Sequence, residues 1–449
     1  MVAMATTRGG VASILRPVLR VMFGDEVPVR FKYWDGSGHG PVDGPGTVHV
    51  RSADALRHLL WAPGELGLGR AFVAGHLDVE GDAYATMKLL GDAGPDHQLL
   101  RPREVLAVAN AARALGVLKG PLPPPPEEVR PRGWVHSRGS DSRAISHHYD
   151  VGNSFYRLLL GPSMTYSCAR FASPDISLED AQAAKHELIC RKLGLHHLAG
   201  SGSVGSGSVG SGSVGFGRSE PPRLLDVGCG WGSLAIHAAV HHRARVVGIT
   251  ISRAQAELAR KRVAEAGVAD RVEIRIQDYR DVRHEQFDAI SSVGMFEHVG
   301  ASRMARYFET LRPLLGPEGR LLNHAISVAG GSRLRRRSFM FRYVFPDAEL
   351  VDVGEVVLAM ERAGFEVRDV ESLREHYART VRHWIANLEA GWDEAVAEVG
   401  LARARIWWLY SVGCVNGFED GGMAVHQVLG VVGHADGRSG MAATRTDWG

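Results

Sequence analysis

The stretch Leu224-Leu225-Asp226-Val227-Gly228-Cys229-Gly230-Trp231-Gly232 constrains this chain more than any other. A short apolar strand runs into glycines at alternate positions, and a helical pattern, Ser233–Val240, follows at once. Such glycines permit positive φ and let a ligand approach the backbone closely. A strand, a tight turn and a helix form the first unit of an open α/β sheet. Ligands bind such sheets at the carboxyl ends of the strands, where Asp226 sits. Downstream, Arg245–Ile249, Val272–Ile276, Ala289–Val293 and Arg320–Ile326 read as further apolar strands, with helical stretches between most of them. That alternation predicts a doubly wound α/β domain with a parallel sheet.

The loop also narrows the ligand. A dinucleotide fingerprint needs G-x-G-x-x-G, and the spacing here is G-C-G-W-G. The form Asp-x-Gly-x-Gly-x-Gly is the one S-adenosylmethionine-dependent methyltransferases use. An aspartate before the loop suits a ligand with an ammonium and a sulfonium better than one with a pyrophosphate. Gly228 and Gly230 are therefore expected to bind cofactor together with Asp226. The second strand ends in Gly248-Ile249-Thr250-Ile251-Ser252-Arg253-Ala254-Gln255, which lacks the acid most methyltransferases place there for the ribose. Thr250, Ser252 and Gln255 are the polar substitutes. After the third strand, Gln277 and Asp278 are placed to meet the adenine edge.

The rest of the chain divides around this domain. Residues 1–120 read as a smaller mixed α/β domain with strands at Val27–Tyr33 and Thr47–Arg51 around the Gly-rich turn Asp35–Gly46. Helical patterns follow at Ala53–Leu60 and Val105–Leu115. Residues 121–140 open with Pro-Leu-Pro-Pro-Pro-Pro, which cannot continue a helix and reads as a semi-rigid linker. The second domain spans 141–449 and carries an insert, 199–219, in which SGSVG occurs three times as a low-complexity, solvated loop. Lys plus Arg exceeds Asp plus Glu by only 52 − 50 = 2, which argues against a nucleic-acid partner. Cys168, Cys190, Cys229 and Cys414 are scattered, so neither a disulfide framework nor structural zinc is expected. His147, His196–His197 and His241–His242 read as solvated, because their spacing is not that of metal ligands. No uncharged apolar run approaches the roughly 20 residues that span a bilayer, and Arg16 and Arg20 interrupt the apolar N-terminal stretch.

Further motifs carry a resemblance. His148-Tyr149-Asp150-Val151-Gly152-Asn153-Ser154-Phe155-Tyr156, Met164-Thr165-Tyr166-Ser167-Cys168 and the glycine loop occur in order. Ser292-Val293-Gly294-Met295-Phe296-Glu297-His298-Val299-Gly300, Tyr343-Val344-Phe345-Pro346, Leu373–Trp384 and His426-Gln427-Val428 follow. Across roughly residues 140–430 the chain resembles the cyclopropane-fatty-acyl-phospholipid synthases and the mycolic acid cyclopropane synthases. Gly64–Asp82 resembles the end of the family's N-terminal, lipid-interacting domain, which points to the phospholipid-acting branch.

The resemblance implies a class I methyltransferase fold and a mechanism. In the family an alkene carbon of an unsaturated phospholipid acyl chain attacks the sulfonium methyl of S-adenosylmethionine. Bound bicarbonate then removes a proton from the carbocation, and a cyclopropane closes. The positions that hold bicarbonate correspond to Cys168, Glu297, His324, the Ile326 backbone and Tyr377. Tyr166 and Ser167 correspond to cofactor-binding positions. A carbocation reacts with any nearby nucleophile, so such a pocket has to be dry and its base firmly held. Taken singly, Cys168 would read as a small buried hydrophobe, His324 as a core histidine and Tyr377 as packing.

The match weakens after Phe345-Pro346, where Asp347–Gly354 lacks the family's Gly-rich turn and Leu-Pro-Ser. Acyl specificity and product therefore stay open. Some relatives end in a 10-methylene chain, the precursor of 10-methyl acids, which a partner reductase then reduces. A small-molecule methyltransferase and a non-catalytic lipid-binding protein are the alternatives of other classes. The scattered cysteines read as reduced thiols in a cytoplasm, so a cytoplasmic protein peripheral to the inner face of the membrane is expected, and the resemblance is compatible with a homodimer. Arg333, Arg335, Arg336 and Arg337 form a basic cluster suited to anionic head groups.

Overall fold

The computed structural model describes residues 10–93, 101–129, 152–198, 220–328, 338–346 and 348–445. The SGSVG insert, the Arg333–Arg337 cluster and the His148–Asp150 motif lie outside them. The chain forms two compact units.

The first unit takes residues up to 130, but also 335–346 and 392–416 from far along the chain. Its four-stranded sheet has β1 (Arg30–Tyr33), β2 (Gly38–His39), β3 (Gly46–Val50) and β4 (Leu77–Gly81) in the order β2-β1-β3-β4. The N-terminal apolar stretch is a helix, Val11–Phe23, that buries Val11, Leu15 and Leu19 at four-residue spacing, while Arg16 and Arg20 are exposed. The returning segments are bound by specific contacts. Phe72 stacks on Trp408 at 5.4 Å, and Arg405 pairs with Asp78 at 2.6 Å. A Cβ on Gly69 would stand 2.2 Å from the Phe339 ring, so glycine is required there. The stretch that reads as a semi-rigid linker is anchored in this unit near its start. Its Glu128 side chain is fully buried and accepts from Arg70 (2.6 and 2.8 Å), Arg342 (2.6 and 3.1 Å) and the Tyr343 hydroxyl (3.2 Å). The contiguous split suggested by the sequence thus differs from the folded one. Helical patterns late in the chain carry apolar faces that are buried in the first unit.

The second unit holds a seven-stranded sheet. Its strands are β5 (Arg223–Val227), β6 (Arg245–Thr250), β7 (Val272–Ile276), β8 (Phe287–Val293), β9 (Leu315–Val328), β10 (Glu366–Ser372) and β11 (Met423–Val431). The order is β10-β11-β9-β8-β5-β6-β7. Strands β5 to β9 pair in parallel, as the sequence predicts. The edge departs from expectation, because β11 runs antiparallel to both β9 and β10. Side chains alternate between two buried layers. Leu225, Ile290 and Leu321 face one, and Leu224, Ala289 and Leu322 face the other. Each such fully buried leucine or isoleucine stabilises the fold by roughly 1.5–3 kcal/mol. Between β5 and β8 the strand order reverses, which opens a crevice at their carboxyl ends.

Candidate active site

The crevice is built on the glycine loop. Gly228, Gly230 and Gly232 have φ of +77°, +54° and +81°, and the N–H groups of Gly228 and Cys229 both donate to the Ile249 carbonyl. A Cβ on Gly228 would meet the Met295 side chain at 2.8 Å. Asp226 is buried at the carboxyl end of β5, opposite Ser291 of β8. Its Oδ1 accepts from the Ser291 hydroxyl at 2.8 Å, whereas Oδ2 has no protein partner. Burial raises its pKa to about 6, against the Ser291 hydrogen bond and the charge of Lys185. The crevice walls include Tyr166, Ser167, Asp226, Gly228, Gly230, Thr250, Gln255, Gln277 and Asp278, all expected from the sequence.

Within that wall the expected residues divide their work. Thr250 Oγ1 donates to Gln255 Oε1 at 2.8 Å, which fixes the Gln255 amide with its nitrogen free of that bond. The Asp278 carboxylate is held by Arg280 at 2.6 Å, so it is a structured acceptor and not a free acid. Ser252 is the exception. It caps the helix Arg253–Glu265 by accepting from the Gln255 N–H, and it is not part of the crevice wall. Lys185, which sequence reasoning missed, is buried in the wall and donates to Ser167 Oγ at 2.9 Å. One lysine in the run AAKHELIC carries no motif, so no sequence signal could have singled it out.

The second group of residues gathers around the ends of β9 and β11. Glu297, in a turn of 3₁₀ helix after β8, accepts from the Ile326 N–H through Oε1 at 2.8 Å. Its Oε2 is buried without a partner, and burial raises the pKa to about 7. The Ile326 N–H is therefore committed to Glu297, which leaves only its carbonyl for another ligand. His324 pairs across the ladder with Gln427, whose amide nitrogen lies 3.2 Å from His324 Nδ1. That bond makes Nδ1 the acceptor and puts the proton on Nε2, which is buried and unpartnered. Burial, with Lys185 next, lowers the His324 pKa to about 3, so the ring is neutral. The Cys168 thiol faces the carbonyls of Ala169 at 3.2 Å and Leu373 at 3.6 Å, the Leu373 carbonyl accepts from the Tyr377 N–H at 3.0 Å, and the Leu373 N–H donates to the carbonyl of Val425, the partner of Ile326. One backbone junction thus brings Cys168, Tyr377 and Ile326 together. Burial pushes the Cys168 thiol well up, so it is a neutral wall group and no nucleophile. Gln427 lies in a stretch whose resemblance is visible in the sequence, yet its role appears only with the ladder register.

Comparison with known proteins gives the setting. The mycolic acid cyclopropane synthetase family profile matches residues 136–210 and 219–428. The chain belongs to this family. A probable fatty acid methyltransferase of Mycobacterium tuberculosis is 40% identical over 422 residues, covering 90% of each chain. The tuberculostearic acid methyltransferase of the same organism is 32% identical, covering 89% of this chain and 87% of that one. The cyclopropane-fatty-acyl-phospholipid synthase of Escherichia coli is 30% identical, covering 86% and 87%. A solved mycolic acid cyclopropane synthase, in complex with S-adenosylhomocysteine, aligns with a TM-score of 0.56 at 30% identity over 64% of this chain and 97% of that one. This family member is an S-adenosylmethionine-dependent methyltransferase with the class I fold.

The reading of the histidines as solvated needs correction, since both ring nitrogens of His196 are buried as well, while His147 lies outside the described residues. His242 is buried, not solvated, and both it (2.9 Å) and His237 (3.2 Å) bond to Glu187 Oε2. Ligand atoms of Cys190, His237 and His242 also lie within 4.8 Å of one another. The helices Leu178–Lys192 and Ser233–His242 bring these residues together, which linear spacing could not show. Among the described residues, no helix is long and apolar enough to cross a membrane.

Proposed function

We propose that this protein transfers a methylene unit from S-adenosylmethionine to the cis double bond of an unsaturated phospholipid acyl chain, giving a cyclopropane, with bicarbonate as the proton acceptor. The observation that carries this reading is the pair of buried, unpartnered polar atoms, Glu297 Oε2 and His324 Nε2, beyond the cofactor crevice. A buried acceptor and a buried donor, both left open, suit a small anion that retains one proton. The His324 N–H donates to it, and the Glu297 carboxylate accepts from its hydroxyl.

The residues of the crevice fit the methyl donor on the same grounds. Asp226 Oδ2 offers an open, buried acceptor, and glycine at 228 avoids a clash at 2.8 Å between a Cβ and the Met295 side chain, which keeps the loop in its turned form. When bound, the donor supplies an electrophilic sulfonium methyl, and bicarbonate supplies a base that is not itself alkylated. The chain's own contribution is positioning and dryness. Tyr166 packs on Trp384 at 5.3 Å, Trp384 meets Tyr377 edge-on at 6.0 Å, and Tyr377 stacks on Phe418 at 4.6 Å. This aromatic series leads from the cofactor wall to the acceptor residues. It excludes water and offers π faces to a developing cation. Neutral His324 and Cys168 add no positive charge beside that cation.

The acceptor we assign lies at the cytoplasmic face of the membrane, with the protein bound peripherally. Methylation that ends in a 10-methylene chain is the second reading, favoured by the similar identities of the relatives named for each product. The test is turnover on oleoyl phospholipid vesicles in carbonate-stripped buffer. The reading predicts activity that falls on stripping and returns with added bicarbonate, in wild type only. Activity indifferent to bicarbonate would overturn the clamp.

A further inference from the structure

A buried ammonium is expensive unless an anion answers it. The two buried lysines of the helix Leu178–Lys192 differ in this respect. Lys192 is paired with Asp369 at 2.8 Å and also with Glu371. Lys185 has no carboxylate within ion-pair distance among the described residues, and its one hydrogen bond runs to Ser167 Oγ at 2.9 Å. Its side chain is nonetheless part of the crevice wall. The charged and titratable groups that act on it or feel it are Asp226 and Cys168, with His186 and His324. None of these supplies a bonded anion.

The hydroxyl in between decides what the lysine can do. An ammonium only donates, so Ser167 Oγ accepts from Lys185 and its own proton has to point elsewhere. No protein acceptor among the described residues takes that proton. A hydroxyl backed by a buried cation and opening into a ligand crevice is a receptor for a carboxylate.

We infer that Lys185 is a positioning residue that, through Ser167, recognises the carboxylate of the methyl donor's amino-acid tail. The inference rests on the crevice being the S-adenosylmethionine site. The bound carboxylate completes an ion pair that the protein leaves half-made. Burial lowers the Lys185 pKa to about 7, so part of the population is neutral near neutral pH. An anion arriving beside it favours the charged form, and binding should therefore take up protons.

The experiment is calorimetric titration of the full-length protein with S-adenosylhomocysteine and with its decarboxylated analogue, 5′-(3-aminopropylthio)-5′-deoxyadenosine. Lys185→Met and Ser167→Ala should each weaken S-adenosylhomocysteine by about tenfold or more, the size of one lost charge-assisted bond. The double variant should be little worse than the weaker single, because both act on one carboxylate. The decarboxylated analogue should bind wild type and Lys185→Met alike. Titrations in two buffers of different ionisation enthalpy should show proton uptake in wild type and none in Lys185→Met. Additive losses, or a variant that loses both ligands equally, would overturn the inference. If Lys185→Met fails to fold, wild type alone decides. Its preference for S-adenosylhomocysteine over the analogue should shrink as pH rises from about 6.5 to about 8.5, across the lysine titration. A constant preference contradicts the role. Failure of wild type to bind S-adenosylhomocysteine at all would instead remove the cofactor reading beneath it.

Discussion

At the scale of single residues, the site is a set of buried polar atoms left open on purpose, and each leaves a measurable trace. Glu297 is held above the usual carboxylate range, at about 7, because burial outweighs the Ile326 N–H that favours its anion. An acid raised in the folded state costs stability as pH rises from its unfolded value through about 7, and that cost is absent once the group is neutral. Glu297→Gln should therefore gain about 3 kcal/mol at pH above about 8, and the gain should shrink as pH falls toward about 5, read as the difference in unfolding temperature. The same substitution should abolish most turnover while S-adenosylhomocysteine still binds. Equal unfolding temperatures at every pH would refute the raised pKa. Gln427→Leu removes the donor that fixes the His324 tautomer. We expect kcat to fall by roughly one to two orders of magnitude with the KM for S-adenosylmethionine nearly unchanged. Legibility at this scale was uneven. Asp226, Glu297 and His324 stand inside motifs whose spacing or resemblance is visible in the sequence. Lys185 and Gln427 act through partners, Ser167 and His324, that only the fold brings near them. Ser252 shows the converse, since a serine beside a strand end also serves to cap the next helix.

At the scale of elements, the parallel strands were legible because both faces of the sheet are covered. Strands β5 and β6 are mostly apolar for that reason, with Asp226 of β5 the charged residue that faces the site. The antiparallel edge was not. Strand β10 reads Glu-Val-Arg-Asp-Val-Glu-Ser, and its charged residues mask it, while β11 follows a long helix and returns in the opposite sense. Yet β11 brings Gln427 to His324, so the hidden strand completes the acceptor side. The glycine loop allows a graded test. Gly230→Ala adds a Cβ that meets nothing within 4 Å, at φ +54°, and should cost only the left-handed penalty of about 1–2 kcal/mol. Gly228→Ala adds the same penalty at φ +77° and a contact with Met295 at 2.8 Å. S-adenosylhomocysteine affinity should fall far more at 228 than at 230. A reversed order would show that the loop is not the cradle described.

At the scale of the molecule, two segments from the second half of the chain belong to the first unit, and this was hidden from a sequence read in order. Their anchors join residues far apart in the sequence, such as Glu128 with Arg342 and Phe72 with Trp408. Glu128→Leu leaves two arginines without their shared carboxylate. It should destabilise the first unit by about 3–5 kcal/mol, the usual result of removing one partner of a buried ion pair. Thermal unfolding of the full-length variant checks this, and an unchanged transition would show the network to be dispensable. The central claim concerns chemistry on a lipid acyl chain, and one measurement addresses it directly. The full-length protein is incubated with oleoyl phospholipid and methyl-deuterated S-adenosylmethionine. The released fatty acids are then hydrogenated gently over a catalyst that spares cyclopropanes, and analysed by mass spectrometry. The predicted product carries two deuterons in one added methylene unit and resists hydrogenation, as a ring does. A labelled product that gains two hydrogens is the methylene acid of the second reading. Lipid that carries no deuterium would contradict the proposed function.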